Sequence, residues 1–214
     1  MSPQTSTPHA AGGLRRRFEG SYEIDEFGGD PQLQDMVAPL VHAFVRVEVD
    51  GAEQLPRTGP ALLVSNRGSG LVEPTVLSVA VRQETGRRLR VAGAPDLPVA
   101  GDLLRRLGCV NSYPGDLRAL LRRGQVAAIA LGATWLRGAG QPPLPFLRAA
   151  LGYEILPVAV LPSGPLGLPM RGWRVRVGAP LRTTGDADHD DPLAAAELAE
   201  ATRDAVHALL NPSG

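Results

Sequence analysis

The chain has 214 residues, 43% of them hydrophobic and 21% charged, which is ordinary for a globular protein and enough to bury a sizeable core. Its formal net charge is zero, so there is no general electrostatic case for a nucleic-acid partner. Every basic residue besides histidine is arginine, which removes Schiff-base and P-loop lysine chemistry, and the single cysteine, Cys109, excludes an internal disulfide or a cysteine-based zinc site.

Residues 1–14 are polar, without the apolar run of a signal peptide, and read as a disordered tail; residues 15–214 read as one domain. Arg15-Arg16-Arg17 is either a solvated end of that tail or a weak contact for anionic headgroups. No stretch approaches the roughly 18 apolar residues of a membrane span. The expected location is cytoplasmic, with peripheral contact at the inner face of the membrane left open.

From Pro31 to Phe44, apolar residues recur at helical spacing, with Pro39 expected to break or kink the helix near Ala38. His42 on this segment reads as a packed core residue rather than a catalyst. Val45–Val49 alternates apolar with charged residues, as a half-exposed strand does. After a loop with two prolines, Ala61–Val64 reads as a buried strand that empties into a polar, glycine-containing turn, Ser65 to Glu73. Pro74 suits a first helical position, and Val76, Leu77 and Val81 form the apolar face of the helix that follows.

Leu89–Ala92 is a predicted strand, Val99–Leu107 a short amphipathic helix, and Asp116–Arg123 another helix with Gly124 at its C-terminus. Val126–Leu131 and Ile155–Leu161 are continuous apolar runs, hence buried strands, the second interrupted only by Pro157. Trp173–Val177 alternates with arginine, and Asp191-Pro192 opens a last helix. This alternation predicts an α/β fold: a single-domain sandwich with a mixed, partly parallel sheet flanked by helices.

A strand running into such a turn at the head of a helix is a usual place for chemistry in an α/β fold. This turn has no histidine or cysteine, and Arg67-Gly68-Ser69-Gly70-Leu71 does not fit a nucleophile elbow. The order of segments resembles the phospholipid/glycerol acyltransferase family, the PlsC-like lysophospholipid acyltransferases, over roughly residues 35–211. Leu62-Leu63-Val64-Ser65-Asn66 matches the strand that opens that family's site. Gly108-Cys109-Val110 is similar to its second block, Leu120-Leu121-Arg122-Arg123-Gly124 to its helix end, and Pro157-Val158-Ala159 to a later strand. Gly178-Ala179-Pro180-Leu181 and the closing helix also fit.

The resemblance implies acyl transfer from acyl-CoA or acyl-carrier protein to a lysophospholipid-like acceptor. It implies no bound cofactor and no metal, and its ligand would be a lipid or acyl thioester; it names no protein partner. In that family a histidine is the general base, an aspartate separated from it by four intervening residues orients the ring, and a Pro-Glu-Gly-Thr block with an arginine holds phosphate. Here the histidine position is Arg67, which stays protonated and accepts no proton. The aspartate position is Val72, with Glu73 one residue late. The glutamate position is Gly132, within Leu131-Gly132-Ala133-Thr134, and Asn111-Ser112-Tyr113-Pro114 stands where an arginine is expected.

Loss of a general base alone removes about a hundred- to ten-thousand-fold in rate. The expectation is therefore a catalytically impaired member with no catalytic residue at the family positions. Its substrate-binding positions would be Asn66, Arg67, Ser69, Glu73, Gly132 and Thr134. The alternative is a non-catalytic lipid-binding or regulatory pseudoenzyme. Arg67 and Glu73 either pair across the old site or both face solvent.

Three further features stay open. Leu161–Met170 is an apolar patch for a bilayer or acyl chain, or a proline-rich connection. Arg87-Arg88, Arg105-Arg106 and Arg122-Arg123 are an anion-binding surface or solvated faces. His189 among Asp186, Asp188, Asp190 and Asp191 suggests a cation site or, just before a helix, capping acids.

Overall fold

The computed structural model describes residues 24–66, 72–93, 100–110, 113–132, 136, 142–163, 172–182 and 191–212. One seven-stranded sheet carries the fold: β1 (Val47–Asp50), β2 (Ala61–Asn66), β3 (Leu89–Ala92), β4 (Cys109–Val110), β5 (Val126–Leu131), β6 (Glu154–Pro162) and β7 (Trp173–Val177). Its order is β1-β7-β6-β2-β5-β3-β4, parallel throughout except for β6 against β7. The helices are α1 (Pro31–Phe44), α2 (Val72–Thr85), α3 (Ala100–Arg106), α4 (Pro114–Arg122), α5 (Leu144–Ala149) and α6 (Pro192–Leu210).

The two-residue period of β2 divides the core into two halves. Ala61 and Leu63 point to the face packed by α2, together with Val76, Leu77, Ala80, Leu156 and Val175. Leu62 and Val64 point to the other face, covered from α4, α5 and α6 by Leu117, Leu121, Leu147, Leu198 and Val206. The result is a mixed sheet between two helical layers, as the sequence pattern predicts.

Proline explains two departures from the simplest reading. Pro157 lies inside β6 without breaking it. Its carbonyl accepts from the Gly178 N–H at 2.9 Å, on the side away from β2, so the missing proline N–H removes no donor from the β2–β6 ladder. Pro39 was expected to end or kink its helix, yet α1 runs on to Phe44. Pro39 is exposed, so the Asp35 carbonyl that loses its helical donor has access to water. Pro74 is a correction of a smaller kind: α2 starts at Val72, which makes Pro74 its third residue, still within the turn whose N–H groups have no helical acceptor.

The ends match the chemistry of their residues. Asp30, fully buried, caps α1 through the Leu33 N–H, and Asp191 caps α6 through the N–H groups of Leu193 and Ala194. Gly124 follows α4 with φ +73°, the left-handed conformation expected of a glycine there. The sequence reading missed β4, α5 and a short 3-10 turn at Ala52–Gln54, each only a few residues long. The tail, the Arg15-Arg16-Arg17 cluster, most of Leu161–Met170, and His189 with Asp186, Asp188 and Asp190 lie outside the described residues; Asp191, the last of those acids, serves as the cap of α6.

Candidate functional site

The chain leaves β2 for α2 and β3, with β5 inserted between β2 and β3 and β6 on the far side of β2. The C-terminal ends of β2 and β5 are therefore the point where connections diverge, the place where open α/β sheets bind ligands. Asn66 ends β2 and pairs in register with Leu131 at the end of β5, so Asn66 and Gly132 stand on the same rim. Gly132 is exposed.

The predicted positions divide as follows. Asn66 directs its amide within the chain: Nδ2 donates to the Val160 carbonyl at 3.0 Å, and the Val160 N–H donates to Oδ1 at 2.7 Å. Glu73, in the first turn of α2, is only 5% exposed, which excludes the alternative that it faces solvent; its position at a helix N-terminus suits a negative charge. Val72 is half-buried and packs against the core on the α2 side. Arg67, Ser69 and Thr134 lie outside the described residues.

A cleft of ≈ 190 Å³ begins at the first turn of α2 and runs between α1, α2, α3 and the β3–β4 edge of the sheet. Its walls are largely apolar, including Val37, Val41, Val79, Leu104 and Leu107, with His42, Thr75, Ser78 and Cys109 among them. At one end, Arg82 Nη2 donates to Asp35 at 2.8 Å, and Arg88 Nη2 reaches both oxygens of the same carboxylate at 3.0 and 2.9 Å. Arg82 lies in the last turn of α2 and Asp35 near the start of α1. The reading of His42 as a packed core residue is thus corrected: it is half-buried and lines the cleft, and none of α1 is fully buried.

Ser78 and Cys109 in the cleft, and Asp35 at its end, are held or muted. Ser78 Oγ donates to the Pro74 carbonyl at 2.8 Å. Burial pushes the Cys109 thiol up, which keeps it in the unreactive protonated form. Burial also pushes the Asp35 carboxyl up, but the hydrogen bonds and charges of Arg82 and Arg88 outweigh it and hold the group below its ordinary value.

Each arginine pair has at least one member held by the chain. Arg87 donates to the carbonyls of Pro56, Gly59 and Gly124 at 3.1, 2.7 and 2.6 Å, tying three loops together, and Arg106 and Arg123 pair with Asp102 and Glu26. The sequence carried no signal for the cleft itself, because its walls come from four separated segments.

No model of a known protein family matches the chain. The chain is 32% identical to the uncharacterized protein ML2427 of Mycobacterium leprae over 260 aligned residues, covering 94% of this chain and 70% of the relative. It is also 32% identical to the uncharacterized protein Rv0502 of Mycobacterium tuberculosis over 259, covering 94% and 72%. The chain belongs to the family of these mycobacterial proteins. The alignment is longer than the 214 residues of this chain, so its mycobacterial relatives carry residues between matched segments that it lacks.

Among solved structures, the crystal structure of the 1-acyl-sn-glycerophosphate (LPA) acyltransferase PlsC from Thermotoga maritima superposes with a TM-score of 0.52 at 17% identity, covering 95% of this chain and 91% of that one. This family member therefore has the acyltransferase-like α/β fold. No helix among its described residues is long and apolar enough to cross a membrane.

Proposed function

We propose that the chain binds an acyl-bearing lipid or acyl thioester in the cleft between α1, α2 and α3, with acyl transfer lost or strongly reduced. The observation that carries this reading is the cleft: an apolar channel opening at the first turn of α2, on a fold of the acyltransferase type. The replacements at positions 67, 72 and 132 support the loss of transfer, because a guanidinium, an isopropyl group and a hydrogen atom supply neither a proton acceptor nor a carboxylate. Exposed Leu40 and Phe44 on α1, with Leu103 on α3, lie on helices that wall the cleft and suit a peripheral contact with a membrane surface.

The test offers purified protein labelled acyl-CoA, or acyl-carrier protein, with a panel of lysophospholipids, beside the Arg67→His, Val72→Asp, Gly132→Glu variant. Acyl-ligand binding without transfer by the natural chain is the expected result. Clear transfer by the natural chain overturns it.

A second reading rests on His42. Its imidazole lines the cleft and has the right chemistry to accept a proton from a bound alcohol. Under that reading the natural chain transfers acyl groups, and His42→Gln abolishes the activity while leaving acyl-ligand binding intact.

A further inference from the structure

At the rim of the sheet opposite Asn66, where β3 and β5 begin, Arg82, Arg87, Arg88 and Arg90 line one polar cleft of ≈ 430 Å³ together with Asp25, Pro31, Gly86 and Gln125. Asp25 is the only carboxylate among these residues, and Asp35 stands beside them, paired with Arg82 and Arg88. Four guanidiniums thus face two carboxylates, in a chain whose overall charge is zero. At the C-terminus of α2 the Val81 and Arg82 carbonyls accept from the Thr85 hydroxyl and the Gly86 N–H.

Arg90 adds an observation independent of charge. It lies on β3, is only 7% exposed and pairs with Asp25 through Nη2, while its Nε and Nη1 are buried with no hydrogen-bond partner among the described residues. A buried guanidinium with unmet donors, in a cleft with excess positive charge, is a built feature that the fold alone does not explain.

We propose that this cleft binds a phosphate-type dianion, a phosphate monoester or inorganic phosphate, held by Arg82, Arg88 and Arg90. Two negative charges balance the excess, and planar guanidiniums offer the paired donors that phosphate oxygens accept. Arg87 is committed to three carbonyls and contributes charge and rigidity rather than a free fork. Arg82 and Arg88 also line the end of the apolar cleft away from the head of α2, so a lipid headgroup and a free phosphate are both sterically served.

The experiment is calorimetric titration of the full chain with inorganic phosphate in chloride buffer, without lipid, for the natural protein and for Arg82→Gln, Arg88→Gln and Arg174→Gln. Arg174 pairs with Glu48 across the β1–β7 edge and serves as control. The expected result is saturable binding, weakened about tenfold or more in Arg82→Gln and Arg88→Gln, as loss of a hydrogen bond to a charged group implies, and unchanged in Arg174→Gln. Absence of saturable binding, or equal weakening in all three variants, overturns the site.

Because no acyl ligand is present, such a failure leaves the acyl-binding reading untouched. A second arm adds vesicles containing phosphatidic acid. Displacement of phosphate by the vesicles supports the site and identifies a lipid headgroup as the source; undisturbed phosphate binding supports it with a soluble phosphate.

Discussion

The side chain of Asn66 pairs with the backbone of Val160 in both directions, donating at 3.0 Å and accepting at 2.7 Å. In the parallel register Ser65 stands opposite Val158, so an unbroken ladder would bring Val160 opposite the residue after Asn66. The amide supplies that pairing in place of backbone. It closes the β2–β6 ladder at the point where the chain turns out of the sheet toward α2, and so fixes the rim on which the candidate site is built.

Replacing Asn66 by Ala leaves the buried Val160 N–H and carbonyl without these partners. A loss of about 1–3 kcal/mol follows from the desolvated groups. Asn66→Asp keeps an acceptor for the N–H but sets a carboxylate against the carbonyl, and is expected to be no better than alanine. Urea denaturation monitored by circular dichroism gives both values; a shift in midpoint near zero for both would remove the structural role assigned to this asparagine.

Glu73 is buried in the first turn of α2, and a buried carboxylate needs a cationic or strongly hydrogen-bonding neighbour. Arg67, six residues earlier in the chain, is proposed as that cation. Arg67→Leu then costs about 3 kcal/mol or more, and adding Glu73→Gln recovers much of it. The coupling energy of this double-mutant cycle, measured by denaturation, is expected to exceed about 1 kcal/mol; strict additivity would show that the two side chains do not interact.

Much of the architecture was legible because burial writes itself into period and composition. Val126–Leu131 and Trp173–Val177 are strands with the predicted limits, since a run buried on both faces and an alternating run leave distinct patterns. Asp191-Pro192 marked the start of α6 through the cap its carboxylate provides. Pro39 misled because the reading weighed the missing N–H without knowing that this side of α1 faces water. The two-residue β4 and six-residue α5 are too short for periodicity to register.

The candidate site was legible only in part. The turn after Asn66 stands out in one dimension, whereas the cleft gathers α1, α2, α3 and β4 from distant parts of the chain. His42 and Cys109 become neighbours of the site through tertiary packing alone.

The Asp35 carboxyl gives a pH-dependent handle on how α1 is held. Burial raises its pKa, the hydrogen bonds and charges of Arg82 and Arg88 lower it more, and the net position is below its ordinary 3.8. A carboxyl depressed in the folded state stabilises it above the unfolded value, and that contribution disappears as pH falls through 3.8 toward the folded value. Because the side chain is 50% exposed, the effect is expected to be below about 1 kcal/mol. Urea midpoints between about pH 5 and pH 3 should fall less steeply in Asp35→Asn than in the natural chain; parallel curves would exclude the carboxylate as a contributor.

Cys109 reports on the cleft from inside. It lines the channel beside Leu107 and Val91, and burial raises its thiol pKa, so at neutral pH less of it is thiolate than in a free cysteine. A small thiol reagent is therefore expected to label the folded chain more slowly than the urea-unfolded chain. The rate should climb as pH rises past the ordinary thiol value, where the buried group finally ionises. Occupation of the channel by an acyl chain adds steric exclusion to the electrostatic barrier, so a saturating acyl-CoA or lysophospholipid should slow labelling further, while inorganic phosphate at the arginine-lined rim should not. Labelling of the folded chain as fast as the unfolded one would contradict the half-buried position, and a rate indifferent to acyl ligands would move their binding away from this cleft.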